Sequence, residues 1–321
     1  MILSVSRRTD IPAFYSEWFI NRIVDGYVCV KNPFNYNQVS KIAISPENVD
    51  CIVFWTKNPR PMMSKLSKID DLNYKYYFQF TITPYHEDLE INVANKKEII
   101  NTFIELSNKI GKNKVILRYD PILLTERYNI EFHIKAFRVL CEKLHDYTEK
   151  IIFSFVDDYK KVSKNLKELK VKDLCEEDMK FIASEFKKIA SGYALKIETC
   201  AEKIDLEEIG INHARCIDGE LIEKIIGYRI INKDKLDGNR EYCGCMKCID
   251  IGQYDSCIHN CLYCYANVNK EKAEINHRMH NSMSPILLGD FDENQVNERK
   301  DVRSLKIKDI DEAGEQISIF K

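Results

Sequence analysis

Three hundred and twenty-one residues, 45% hydrophobic and 31% charged, describe a globular chain, and 48 Lys+Arg against 50 Asp+Glu leave a net charge of −2. That balance lacks the basic excess of a polyanion binder, so nucleic acid is not an expected partner. No apolar run approaches the ~20 residues of a membrane span, and the first eight residues do not read as a signal peptide, so the expected compartment is the cytoplasm.

In chain order, short β-like runs alternate with helical stretches over the first 220 residues. The candidate strands are Ile2–Val5, Tyr27–Val30, Cys51–Trp55, Tyr76–Ile82, Lys114–Tyr119, Lys150–Phe155, Ala194–Thr199 and Ala214–Ile217. Most are unbroken apolar runs, as in parallel strands buried on both faces. Between them, Ile99, Phe103, Leu106 and Ile110 repeat at helical spacing. So do Ile130, Ile134, Phe137, Leu140 and Leu144, and then Met179, Ile182, Phe186 and Ile189. Repeated βα units predict an α/β fold with a parallel (β/α) barrel-like sheet, a doubly wound open sheet being the alternative. No GxGxxG or GxxxxGK[ST] loop is present, so a nucleotide fold of those types has no support. The expected organisation is a barrel-like domain over 1–235, a cysteine-rich segment over 236–289 that packs across the barrel mouth, and a surface tail over 290–321.

Active sites of parallel α/β proteins gather at the carboxyl ends of the strands. Polar residues follow the apolar runs here: Ser6 to Asp10, Trp55 to Asn58, then Gln79, Thr81 and Thr83. Arg118 to Asp120, Ser154, Asp157, Glu198, Cys200 and Glu202 complete the ring. Any one of these is an ordinary strand-end polar group or a local salt link. Together they predict a concave ligand site. Arg8, Lys57 and Arg118, with Arg7, are the candidates to hold carboxylate or phosphate, and Glu198 and Asp120 to hold ribose or amine groups. The Glu198/Glu202 pair reads equally as acid–base groups or as rim charges.

Cysteine is the abnormal count. Six of twelve fall between Cys243 and Cys264, and in a reducing compartment such clustering points to metal rather than disulfides. Isolated Cys29 and Cys141 read as small buried hydrophobes. Cys257, Cys261 and Cys264 form a CxxxCxxC, three thiolates able to hold a [4Fe–4S] cluster and leave one iron open for a small molecule. Cys243, Cys245 and Cys248 form a CxCxxC that needs a fourth ligand, which Cys200 or Cys216 could supply. Thiolate sites select iron–sulfur clusters or zinc. Zinc remains the alternative, in a domain that binds an anionic ligand without redox chemistry, although the spacing is not the paired CxxC of zinc ribbons.

Cys257 to Cys264, with Tyr263 before the last cysteine, resembles the cluster motif of radical S-adenosylmethionine enzymes. The Cys-Leu-Tyr-Cys-Tyr run and Arg118-Tyr119-Asp120-Pro121-Ile122 are similar to segments of spore photoproduct lyase relatives. In that superfamily the motif follows the first barrel strand, whereas here it lies four-fifths along the chain. Over nearly its whole length the chain resembles a bacterial family known as domain of unknown function number eighteen forty-eight. Ser4–Phe14, Gly26–Gln38, Val53–Pro59, Tyr77–Tyr85, Arg118–Ile122 and Asp250–Asn267 carry that likeness. The resemblance implies one or two [4Fe–4S] clusters and S-adenosylmethionine as cofactor, with Tyr263 against the adenine and Asp120 and Glu202 beside the cofactor. It also implies a small-molecule substrate and an electron donor of flavodoxin or ferredoxin type.

Overall fold

The computed structural model describes residues 1–156, 163–233, 235–236, 241–267 and 269–307. Asp157 and the last part of the expected tail lie outside the described residues. The strands are β1 (Ile2–Val5), β2 (Tyr27–Asn32), β3 (Asn35–Ala43), β4 (Cys51–Thr56), β5 (Tyr76–Thr81), β6 (Val115–Ile122), β7 (Lys150–Phe155), β8 (Lys196–Thr199), β9 (Asn212–His213), β10 (Ile249–Asp250) and β11 (Val296–Glu298). The helices are α1 (Ile11–Phe14), α2 (Ser16–Asp25), α3 (Arg60–Met63), α4 (Leu66–Asp71), α5 (Lys96–Ile110), α6 (Ile130–Leu144), α7 (Ser163–Glu168), α8 (Glu176–Gly192), α9 (Gly219–Ile226) and α10 (Lys270–Arg278).

Eight strands make one sheet in the order β10-β1-β4-β5-β6-β7-β8-β9, and each neighbouring pair is parallel. From β1 to β9 the chain steps across the sheet in one direction. Strand β10 then returns to the far edge, beside β1. Alternate residues of each strand point to opposite faces, and the two faces build two cores. Leu3, Val5, Ile52, Phe54, Phe78, Leu117 and Phe153 pack with Trp18, Phe103, Phe137 and Phe186 of the helices. Ile2, Cys51, Val53, Tyr77, Ile116 and Ile152 meet Cys216, Ile217, Ile222, Cys245 and Met246 on the other face. Both faces are therefore dry, which is why these strands read as unbroken apolar runs.

Side chains of the preceding residues set where the helices begin. Asn95 accepts from Lys97 N at 2.8 Å before α5, and Asn129 from Phe132 N at 2.9 Å before α6. Gly26, at φ 76°, ends α2 in the left-handed conformation.

Three expectations change. Tyr27–Val30 is not in the parallel sheet: β2 pairs antiparallel with β3, and β11 adds parallel to β3 in a separate three-stranded sheet. The last βα strand is Asn212–His213, and 214–217 is loop. The cysteine-rich segment contributes β10 to the main sheet, with Leu3 opposite Ile249 and Ser4 opposite Asp250. Among the described residues no helix is long and apolar enough to cross a membrane.

Candidate metal centre

The carboxyl ends of β1 and β4 and the chain after β10 are tied by two aspartates. Asp10 caps α1, accepting from Ala13 N at 3.0 Å. It also accepts from Thr56 Oγ1 and from Lys57 N, both at 2.7 Å, and lies 2.9 Å from His259 Nε2. Asp250 accepts from Ser4 Oγ at 2.8 Å, Ser6 Oγ at 2.6 Å, Arg7 N at 2.8 Å and Gly252 N at 3.0 Å. The backbone at Gly252 comes so close that an added Cβ would stand 1.9 Å from Ser6 Oγ, so only glycine fits. These bonds aim the chain that follows, which carries Cys257, Cys261 and Cys264, over the end of β1.

There the three thiols line one cavity of about 130 Å³ with Arg7, Arg8, Lys57 and Trp55. Four buried polar atoms on its lining residues have no hydrogen-bond partner: Thr9 Oγ1, His259 Nδ1, Asn260 Oδ1 and Asn267 Oδ1. Each such atom costs about 1–3 kcal/mol unless something polar meets it. His259 Nε2 faces the Asp10 carboxylate, and Nδ1 is the ring nitrogen left without a partner.

Charge is arranged around this cavity by a buried carboxylate. Glu90 receives Lys57 Nζ at 2.7 Å and is bonded as well by Lys96, Thr83 and the Tyr263 hydroxyl. Burial alone would raise its pKa, but Lys57 and then Lys96 overcome that and hold the carboxyl at about 2. Burial pulls the Lys57 ammonium down, yet the Glu90 carboxylate beside it more than offsets that and keeps it above the usual lysine value. Lys96 is lowered by its own burial. Glu90 and Lys96 line a second cavity, of about 450 Å³, so Glu90 stands between the two. Burial pushes the thiols of Cys257, Cys261 and Cys264 up. Without a cation they stay protonated, and a bound metal would take the place of those protons.

The remaining clustered cysteines gather elsewhere. Cys200 Sγ is 3.5 Å from Cys216 Sγ, and Cys245 hydrogen-bonds both Cys216 and Cys243. Cys245, as a donor to it, lowers Cys243 to about 7. Cys248 is engaged by Arg7 Nη2 at 3.2 Å. Among the described residues no three His, Cys, Asp or Glu side chains already stand around a common metal position. The fit to a metal therefore rests on the donors: soft sulfur ligands, and beside the first set a cavity with polar atoms to spare.

Of the expected residues, Arg8, Lys57, Cys257, Cys261 and Cys264 meet at the cavity. Arg118 does not line it. Its guanidinium is buried against Asp120, Cys216 Sγ at 2.8 Å and Gln79 at 3.4 Å, and it lies 5.2 Å from the Trp55 ring centre. Asp120 answers Arg118 and Ser154, and Arg118 lowers it against the upward pull of burial. Glu198 pairs with Lys150 at 3.1 Å and Lys196 at 2.5 Å, a structural knot away from the cavity. Glu202 accepts from Phe155 N at 2.8 Å, joining the end of β7 to the loop after β8. The Tyr263 ring is not laid along the cavity. It packs edge-on to Tyr85 with its hydroxyl on Glu90.

Glu90 and Asp250 do not stand out in the sequence. Glu90 sits in a loop after β5 with no motif around it, and Asp250 ends a two-residue strand. The His259–Asp10 pair has one signal, a histidine inside the cysteine motif.

A family model described as "Domain of unknown function (DUF1848)" matches residues 2–266. No curated protein matches. A solved structure from Bacteroides thetaiotaomicron, described as a candidate alpha-L-fucosidase, is similar at 12% identity, over 71% of this chain and 83% of that one, with a TM-score of 0.24. A likeness of that size carries no argument about activity.

Proposed function

The chain belongs to the DUF1848 family, and from that premise we propose that it is an iron–sulfur enzyme of the radical S-adenosylmethionine kind. Cys257, Cys261 and Cys264 would hold a [4Fe–4S] cluster, and a polar, anionic small molecule is the substrate class. One observation carries this reading: three thiols share a cavity with the cationic side chains Arg7, Arg8 and Lys57. Thiols and fixed cations around one concave site suit a soft metal with an anionic ligand beside it. The parallel sheet supports it by placing the cavity at strand carboxyl ends. We read the sheet as wrapping in a barrel, because Tyr77 and Gln79 of β5 each bond Cys216 O, beyond β9, at 2.7 Å.

When bound, such a cluster supplies one electron to the sulfonium cofactor and so a carbon radical able to abstract hydrogen. The protein's part is binding and exclusion of water. Lys57, fixed by Glu90 and Thr83, offers a permanent positive charge to a carboxylate or phosphate. His259, Asn260 and Asn267 line the same cavity and would offer polar groups to a ligand there. Arg8, 4.0 Å from Asp250 and over the Tyr254 ring at 5.6 Å, adds charge at the rim. An electron donor of flavodoxin or ferredoxin type completes the proposal, with the cytoplasm as its compartment.

Anaerobic purification with iron and sulfide analysis tests it. A brown protein with about four irons and four sulfides at the cavity, lost in Cys261→Ala, is expected. S-adenosylmethionine should change the reduced cluster's paramagnetic resonance, and Lys57→Met should weaken binding while leaving iron content intact. A colourless protein from iron-replete cells would overturn the reading.

A further inference from the structure

The cavity that holds Cys257, Cys261 and Cys264 is lined by one indole, Trp55, by the His259 imidazole, and by no other aromatic ring among the described residues. Tyr263, the ring expected to meet the cofactor's base, is engaged elsewhere. Its hydroxyl is on Glu90, its edge is against Tyr85, and the Lys57 ammonium lies 5.6 Å over its face. We propose that the nucleobase of the bound ligand stacks on Trp55, in a site for an adenosyl compound that carries an acidic group. The inference rests on the reading that this cavity receives S-adenosylmethionine, and it gives Trp55 the contact that Tyr263 does not make.

The indole is held in place by its own neighbours. Its Nε1–H donates to Ser4 Oγ at 3.1 Å, and Ser4 in turn donates to Asp250 at 2.8 Å. A ring already fixed loses little freedom on binding. Arg118 stands over it, 5.2 Å from the ring centre, and is bonded to Asp120 at 3.2 Å and Gln79 at 3.4 Å, outside the cavity lining. With a guanidinium already over it, the indole suits a neutral planar ring better than a second cation. Stacking needs no hydrogen-bond readout, since every base presents a π-face. Trp55 and Lys57 stand two residues apart at the carboxyl end of β4 and line the same cavity. Positions i and i+2 of an extended chain point the same way, about 6.6 Å apart. A base on Trp55 therefore leaves an acidic group of the same molecule facing the Lys57 ammonium, with Arg7 and Arg8 lining the same space. A planar base joined to an anion by a short spacer describes a nucleoside derivative, and neither free phosphate nor a simple carboxylate.

The chain has two tryptophans, and Trp18 is fully buried whereas Trp55 is half-buried, so Trp55 can report on its own cavity. The test titrates the full chain, purified anaerobically, with S-adenosylhomocysteine, which keeps the base, the amine and the carboxylate. Binding should quench indole emission and shield it from acrylamide, and inorganic phosphate should do neither. Trp55→Leu should weaken S-adenosylhomocysteine binding by about tenfold or more in calorimetry. Trp55→Phe keeps a ring and should stay within about fivefold of the natural chain. Iron and sulfide should be unchanged in both variants, which separates this inference from the cluster. A colourless natural chain that shows the same quenching would end the cluster reading and uphold the stacking. Equal affinities of the natural and Trp55→Leu chains would overturn the stacking, as would a natural chain whose emission ignores S-adenosylhomocysteine. Should Trp55→Leu not fold, quenching and shielding in the natural chain decide alone.

Discussion

Glu90 is the residue on which the charge of the candidate site turns. It is 1% exposed, yet it is ionised because two ammonium groups, a tyrosine and a threonine all face it. Its pKa is depressed from 4.5 to about 2, so its contribution is complete above pH 4.5 and is lost as the pH falls toward 2. The shift corresponds to roughly 3 kcal/mol. Glu90→Gln should therefore lower unfolding free energy by about that much at pH 7, and the gap to the natural protein should close as urea titrations move below pH 4.5. A gap that ignores pH would show that Glu90 acts by packing alone. His259 gives a second test. His259→Gln should leave the thiol loop folded but weaken S-adenosylmethionine binding by about tenfold, read by calorimetry on the cluster-loaded protein. Lys57 and Arg8 were legible because they follow apolar strands directly. Glu90 was not, since its role comes from Lys57, Lys96 and Tyr263, up to 173 positions away.

Among the elements, the turn from β10 toward the thiols is set by how closely Gly252 approaches Ser6. Gly252→Ala should cost about 2 kcal/mol, the usual range for forcing atoms into filled space, and should displace the loop that leads to Cys257. Ser6→Gly in the same chain removes the obstructing Oγ and Cβ and should recover much of the loss in thermal denaturation. A double variant no better than Gly252→Ala would place the strain elsewhere. Long, doubly buried strands such as Lys150–Phe155 were legible to the residue, because water is excluded from both faces. Strand β3, Asn-Tyr-Asn-Gln-Val-Ser-Lys-Ile-Ala, was not, for half of it faces solvent and its polar run resembles a loop. Strand β10 is too short to leave a pattern, and only its pairing with β1 reveals it.

For the molecule as a whole, the C-terminal stretch is stitched to the start of β4. Asp50 accepts from Tyr228 Oη at 2.8 Å, Ser304 Oγ at 2.5 Å and Leu305 N at 2.8 Å. Asp50→Ala would strand these donors and should cost about 3 kcal/mol, with amide exchange rising selectively at 303–307. Unchanged exchange there would mean that the stretch is held by its apolar contacts. The α/β class and parallel sheet followed from local pattern. The choice between Cys200 and Cys216 as the neighbour of Cys245 did not, and it falls on Cys216, since cysteine spacing within a loop carries no information about which distant strand end lies beside it.

Leu3 and Ile249 are partners in the sheet although they sit at opposite ends of the matched family region. During synthesis at 5–20 residues per second, β1 therefore waits roughly 12 to 50 s for its second neighbour after it leaves the ribosome. Until then its outer edge, Ile2-Leu3-Ser4-Val5, offers unpaired amides and carbonyls to any other nascent strand. Chains stalled before residue 249 should accordingly aggregate through their own amino termini, and release past that point should end the hazard.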